Sequence, residues 1–228
     1  METKNYNYII CGGGASGLLL ANKLVSDPFF LDKKILLIEK DSKKINDRTW
    51  CFWEKGESDL DQLVCRSWDS AYFNAPEFEK KFLTKPYTYK MIKGIDFYKK
   101  LDLTVAKHEN LTYLNAEISL INKTNNTVKT NKGNFSGDFI FSSMYDINIL
   151  KNQTKYPLLK QHFLGQLVVT ENEIFTPDVV TFMDFDLPQK NSTRFMYVLP
   201  FSKTKALVEY TLFSPNELKK DEYLNSIK

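Results

Sequence analysis

This 228-residue chain has few residues of the kinds that usually announce a function: three cysteines, two histidines, and three arginines among its 31 basic side chains. Cys11, Cys51 and Cys65 are odd in number and lack the paired spacing of a zinc site. They predict neither a disulfide framework nor a metal centre, and read as reduced thiols of a cytoplasmic protein. A net charge of +3 carried mostly by lysine argues against nucleic acid, whose phosphates are read by strongly basic, arginine-rich surfaces. No run of 18 apolar residues occurs, so no transmembrane helix is expected. The polar start METKNYNY leads directly into a strand, and no signal peptide is expected. Internal repeats and low-complexity tracts are missing too. The 43% apolar content excludes a disordered chain and is enough for a sizeable core.

The pattern along the chain is mixed. Residues 6–11 form a β-branched and aromatic run ending in glycines, a strand signal. Residues 15–25 carry leucines, alanine and valine at helical spacing, and ILLIE at 35–39 reads as a strand buried on both faces of a parallel sheet. Together they make one βαβ unit. DRTWCFW at 47–53 reads as a Trp-rich loop. Residues 68–84 predict two strands around Pro76, 89–93 a short strand and 95–107 a helix. Strands are expected at 111–114, 117–123, 127–130 and 139–141, with a turn at Asn125-Asn126. Four more follow at 166–171, 179–184, 194–199 and 205–213. Ser214-Pro215-Asn216-Glu217 has the form of a capping box opening a last helix, and the chain reads as cut short there.

Gly12-Gly13-Gly14-Ala15-Ser16-Gly17 fits G-x-G-x-x-G. In such a motif the first glycine makes a tight turn, the second admits a pyrophosphate and the third lets helix and sheet approach closely. The phosphates lie at the helix N-terminus, where free N–H groups and the dipole favour anions. Glu39, at the end of the next strand, is placed to bind a ribose hydroxyl, which favours FAD or NAD over NADP. The strand-rich segment after a single βαβ unit favours FAD, by analogy with flavoproteins that insert a substrate domain there.

Three further features carry chemistry. The aromatic stretch around Arg48, Trp50, Phe52 and Trp53 could wall an apolar ligand or simply pin its segment to the core. Seven lysines between 80 and 100, interleaved with aromatic rings, suit either a solvated face or contact with anionic lipid. In the last strand, alternation places Leu207, Glu209, Thr211 and Phe213 on one face. Burial of that face would keep Glu209 protonated, as a general acid requires; pairing with Arg194 is the other reading. Asp184 is a second carboxylate in an apolar strand, and two such groups close together would push their pKa values apart.

Several stretches together resemble the lycopene cyclase family of flavoproteins: YIICGGGASGLLLA at 8–21, DRTWCFW at 47–53, FMDF at 182–185, RFMYVLPFS at 194–202 and LVEYTLFS at 207–214. The resemblance covers essentially the whole chain. It implies an α/β fold similar to aromatic hydroxylases: an N-terminal Rossmann-like FAD-binding βαβ with an inserted strand-rich mixed-sheet substrate domain, truncated at the C-terminus. The expected division is 1–75 with 95–160 for the FAD-binding domain and 76–94 with 161–228 for the substrate domain. The implied reaction closes the ψ-ends of lycopene, or of another acyclic carotenoid, into β-ionone rings. Protonation starts it, no net redox change occurs, reduced FAD is required and NAD(P)H supplies the electrons. The implied catalytic residues are Glu209 and Asp184. Cofactor contacts fall to Gly12, Gly14, Ala15, Ser16, Gly17, Glu39, Lys40 and Arg48, and substrate contacts to Trp50, Phe52, Trp53 and Tyr197. Tyr210 and Asp186 stand where many members have an acidic residue and an arginine. No metal is expected, and the protein is expected to be cytoplasmic with peripheral membrane contact. An FAD-dependent hydroxylase, a polyprenyl reductase of the same fold and an inactive nucleotide-binding fragment are the alternatives.

Overall fold

In the computed structural model, which describes residues 3–42, 45–105, 107–145 and 147–227, fifteen strands and four helices alternate irregularly along the chain. In order they are β1 (Lys4–Cys11), α1 (Ala15–Ser26), β2 (Ile35–Glu39), β3 (Thr49–Glu54), β4 (Val64–Trp68), β5 (Ser70–Ala75), β6 (Phe78–Leu83), β7 (Thr88–Lys93) and α2 (Gly94–Val105). Then come β8 (Leu111–Asn115), β9 (Ile118–Asn122), β10 (Thr127–Thr130), β11 (Gly133–Ser142), α3 (Ile147–Asn152), β12 (Lys160–Val169), β13 (Val179–Asp184), β14 (Thr193–Pro200), β15 (Lys205–Ser214) and α4 (Lys220–Ile227). The chain forms two units, one of Met1–Thr49 and Lys93–Ile147, the other of Trp50–Ile92 and Asn148–Lys228.

The first unit is the expected Rossmann-like βαβ, extended. Its sheet has the order β8-β2-β1-β11-β10-β9. β8, β2, β1 and β11 run parallel, and β10 and β9 return antiparallel. Ile35 to Ile38 are fully buried because β2 lies inside the parallel part and is covered on both faces. α1 buries Leu18, Ala21, Leu24 and Val25, a stripe at helical spacing, and packs against α2, which buries Phe97, Tyr98 and Leu101. Ala106, in the expected span of the second helix, lies outside the described residues.

The second unit is strand-rich and mixed. Its main sheet has the order β12-β15-β14-β13-β5-β6, all antiparallel except the β13–β5 pair. A three-stranded sheet, β3-β7-β4, packs on one face through Trp68, Tyr89, Met91 and Cys51 against Leu199, Tyr197, Phe182 and Leu207. α4 covers the other face, where Tyr223, Leu218 and Ile227 meet Tyr210, Leu212, Met196 and Leu164. Residues 50–75 and 148–160, expected in the first domain, group with this unit. β3 and β4 pair with β7, and β5 pairs with β13.

Two local expectations are corrected. The stretch DRTWCFW is not a loop: residues from Thr49 onward form β3. Its Thr, Trp, Cys and Phe side chains favour a pleated, half-buried surface, and β7 supplies the partner. Nor does Ser214 cap a helix at 215. It ends β15 opposite Lys160, donates to the Asn216 carbonyl and bonds His162 Nε2 at 2.8 Å. The helix opens later, where Glu222 Oε2 accepts from the Lys219 N–H.

Candidate functional site

The glycine turn of the first unit is built as its spacing predicts. Gly12 leaves β1 with φ +110°, a conformation that glycine alone adopts easily, and its N–H donates to the Ile38 carbonyl at 2.9 Å. A Cβ on Gly17 would collide with the Gly12 carbonyl oxygen and lie 3.0 Å from its carbon, so α1 can approach the strand only at glycine. Gly14 is different: a Cβ there would meet nothing within 4 Å. Gly14 begins α1 with no side-chain cap, and the first turn, which contains Ala15 and Ser16, holds no acidic residue. That end of the helix is open to an anion. Glu39 reaches back under the turn, its Oε2 accepting from Gly13 N–H at 2.7 Å and its Oε1 from Asp41 N–H at 2.8 Å.

Lys40 and Arg48 are solvent-facing. Lys40 is 3.6 Å from Glu117 and borders a groove of about 670 Å³ with Ser42, Asn115, Asn131 and Lys132. Arg48 lies 3.9 Å from Asp47, and its carbonyl accepts from the Gly94 N–H at 2.8 Å.

In the second unit Glu209 lies at the middle of β15, opposite Gly165 of β12 on one side and Tyr197 of β14 on the other. It shares the expected face with Leu207, Thr211 and Phe213. This is the face on which the three-stranded sheet packs. Among the described residues no donor reaches its carboxyl. Desolvation alone raises its pKa, with no cation to offset it. The reading of Glu209 as a partner of Arg194 is overturned. The Arg194 side chain is on the opposite face, where Nη1 donates to the Tyr210 hydroxyl at 3.0 Å and Nε to Ser192 at 2.7 Å.

Tyr197 ties Glu209 to a cluster that sequence reasoning missed. Its hydroxyl is 2.7 Å from that of Tyr89 on β7, and Cys51 of β3 packs into the same cluster. Burial pushes the Cys51 thiol up to about 11 and both phenols higher still, with the Glu209 charge adding to the rise at Cys51 and Tyr89. All three stay protonated through the physiological range. The Trp53 ring lies tilted against Tyr89 at 4.4 Å and edge-on to Phe182 at 5.5 Å, and Phe182 is 6.5 Å from Tyr197. The predicted aromatic wall is divided by β3 itself: Cys51 and Trp53 point to this cluster, and alternation turns Trp50 and Phe52 to the other face.

Asp184 does not join Glu209. A register shift in β13 between Thr181 and Asp184 sets Asp184 opposite Met196, on the face away from Tyr197. Its Oδ1 accepts from Asn74 Nδ2 and from the Asp186 N–H, both at 3.0 Å. No neighbouring carboxylate contributes to the rise at Glu209, which comes from desolvation. The basic stretch also divides. Lys90 is buried between Glu54, at 2.8 Å, and Asp61, at 2.6 Å, whereas Lys80, Lys81 and Lys85 are exposed beside Phe78, Phe82, Leu83 and Tyr87. Among the described residues no cluster of His, Cys, Asp and Glu could hold a metal, and no helix is long and apolar enough to cross a membrane.

A family model described as lycopene cyclase protein matches residues 7–228. No curated protein matches the chain. Among solved structures it is similar to PqsL, a probable FAD-dependent monooxygenase from Pseudomonas aeruginosa, with a TM-score of 0.63 and 9% identity over 91% of this chain and 60% of that one. It is also similar to the tryptophan halogenase of Shewanella frigidimarina, with a TM-score of 0.63 and 12% identity over 99% and 58%. The p-nitrophenol 4-monooxygenase PnpA of Pseudomonas putida gives 0.61 and 14% over 99% and 61%. At these identities the likeness concerns the fold, and the chain spans about three fifths of the length of each of these structures.

Proposed function

The chain belongs to the lycopene cyclase family, and from that premise we propose that it closes the open ends of lycopene, or of a related acyclic carotenoid, into β-ionone rings by proton-initiated cyclisation. Reduced FAD is the cofactor, NAD(P)H the source of its electrons, and the carotenoid undergoes no net redox change. The first unit holds the flavin and the second the hydrocarbon. The glycine turn fits a dinucleotide: the open space at Gly14 and the uncapped helix end admit a pyrophosphate, bound through Gly12, Gly14, Ala15, Ser16 and Gly17. Glu39 takes a ribose hydroxyl, and Lys40 and Arg48 add cationic contacts. When bound and reduced, the flavin supplies negative charge that stabilises a carbocation.

The observation that carries the reading is Glu209: a carboxyl with no donor among the described residues, desolvated in an apolar sheet face beside neutral phenols. Such a group keeps its proton at pH values where an ordinary glutamate has lost it, and a neutral hydrocarbon binds next to it without leaving a buried charge unpaired. Glu209 gives its proton to the terminal double bond. The tertiary cation is attacked by the next double bond, the ring closes, and a ring proton is lost. The carboxylate left on Glu209 takes that proton back, so the substrate is isomerised and the acid regenerated. The faces of Tyr197, Tyr89, Phe182 and Trp53 stabilise the passing cation. Asp184 serves by holding the end of β13 through Asn74 and Asp186 rather than by moving a proton. The exposed rings and lysines of β6 suit peripheral contact with an anionic membrane, where a carotenoid dissolves.

The test is pigment analysis. In bacteria that accumulate lycopene, the wild-type chain is expected to yield a monocyclic or bicyclic carotene and Glu209→Gln none. Equal yields from both would remove Glu209 as the acid, and unchanged lycopene from an FAD-loaded wild-type chain would remove the reaction.

A further inference from the structure

The two sheets of the second unit pack face to face, and each leaves an edge strand: β3 in the three-stranded sheet and β6 in the main one. Phe82 of β6 pairs with Ala71, which is fully buried between the sheets, so Phe82 belongs to the same face. The small sheet does not reach over it, and Phe82 stays 36% exposed. Trp53 of β3 stands across the gap. Between them lies a cleft of about 360 Å³ lined by Trp53, Phe82, Leu83, Thr84 and Tyr87, at the small end of the range for ligand sites. The turn from Thr84 to Tyr87 forms one wall: Thr84 Oγ1 donates to the Tyr87 carbonyl at 2.7 Å, and the Tyr87 N–H to the Thr84 carbonyl at 3.0 Å. The threonine hydroxyl is thereby spent within the wall. Three rings and a leucine make the rest, so the cleft suits hydrocarbon.

Its rim is cationic. Alternation along β6 puts Phe78, Lys80 and Phe82 on the cleft face and turns Glu79 and Lys81 to the other. Lys85 follows in the turn. Lys80 and Lys85 are exposed, and neither forms an ion pair among the described residues. An apolar slot with unpaired cations at its mouth is complementary to a hydrocarbon chain that ends in an anion. We propose that this cleft takes one acyl chain of an anionic membrane lipid, with Lys80 and Lys85 meeting the headgroup. The proposal rests on the membrane contact assigned to β6 and gives it a specific lipid site. The lipid chain lies against Trp53, whose ring is also 4.4 Å from Tyr89 in the cluster beside Glu209.

Trp53 reports on its own cleft. The chain has three tryptophans; Trp68 is buried, and Trp50 is on the other face of β3. The full chain is mixed with vesicles of phosphatidylcholine and phosphatidylglycerol whose acyl chains carry bromine. Tryptophan emission is read on the vesicle-bound protein. Bromine on the chains is expected to quench it, and Trp53→Phe to lose the quenched component. Leu83→Gln, at a position 68% exposed, keeps the fold and is expected to reduce quenching at equal bound protein. Lys85→Ala is expected to weaken binding to the anionic vesicles roughly fivefold. Bound protein whose Trp53 emission is unquenched overturns the proposal and leaves surface charge as the whole contact. No binding to anionic vesicles overturns both the cleft and the membrane contact. A dimer in lipid-free solution that shields Trp53 from acrylamide assigns the cleft to a second copy and also overturns the proposal. Quenched Trp53 in a chain that leaves lycopene unchanged supports the cleft and counts against the cyclase reading alone.

Discussion

Gly14 and Gly17 stand three residues apart in one motif, yet the structure predicts opposite consequences for adding the same methyl group to each. At Gly17 the new Cβ would overlap the Gly12 carbonyl oxygen and lie 3.0 Å from its carbon and 3.3 Å from Ile10 Cγ2. Two of these neighbours are backbone, so α1 must move off the strand. Overpacking of this kind costs on the order of 3 kcal/mol, which for a chain of this length corresponds to a fall in Tm of roughly 6–12 °C. At Gly14 the new Cβ meets nothing, and φ −73° suits alanine. The loss of a preferred helix-start residue and the gain from a stiffer unfolded chain oppose each other, and Tm stays within about 4 °C of wild type. FAD affinity is expected to reverse the order: Gly14→Ala places a methyl group where the pyrophosphate approaches and weakens binding roughly tenfold or more. The assays are thermal unfolding by circular dichroism on the flavin-free protein and FAD titration by flavin fluorescence. Wild-type Tm in Gly17→Ala would refute the packing argument. Wild-type FAD affinity in Gly14→Ala would refute the placement of the phosphates.

The remaining predictions concern the second unit. Glu209 has a folded pKa above its unfolded value, so its contribution to stability is full below the ordinary glutamate pKa of about 4.3 and is lost as pH rises through the raised value. Glu209→Gln is therefore expected to gain in Tm over wild type as pH rises; a gap that stays constant with pH would contradict a desolvated carboxyl. Tyr89→Phe leaves the half-buried Tyr197 hydroxyl without its 2.7 Å partner and should cost about 1 kcal/mol, much of it regained in the double variant with Tyr197→Phe. Additive losses in that cycle would show that the two hydroxyls are not coupled. Replacing Lys80 and Lys81 with alanine should weaken binding to vesicles containing phosphatidylserine by roughly fivefold per lysine, with less effect at high salt. No loss at low salt would remove β6 from the membrane face.

Much of the candidate site could be read from local pattern. The glycine turn, α1 and the strand carrying Glu39 are set by short-range geometry: a strand, a tight turn and a helix start that only glycines permit at 12 and 17. Alternation in β15 gave the face of Glu209 correctly, since a side-chain period of two needs no partner strand to define it. Pairing and register, by contrast, belong to the tertiary structure. Tyr89, Cys51 and Gly165 reach Glu209 only because β7, β3 and β12 are brought to it from distant parts of the chain. Asp184 looked like a second acid until the register shift in β13 turned it to the other face. Ser214 looked like a helix cap until pairing with β12 kept it in the strand and His162 took its hydroxyl. The sequence by itself determined what rests on backbone sterics and side-chain period. The tertiary structure decided which groups meet, because a strand finds its register only when a whole face of side chains is buried against a neighbour.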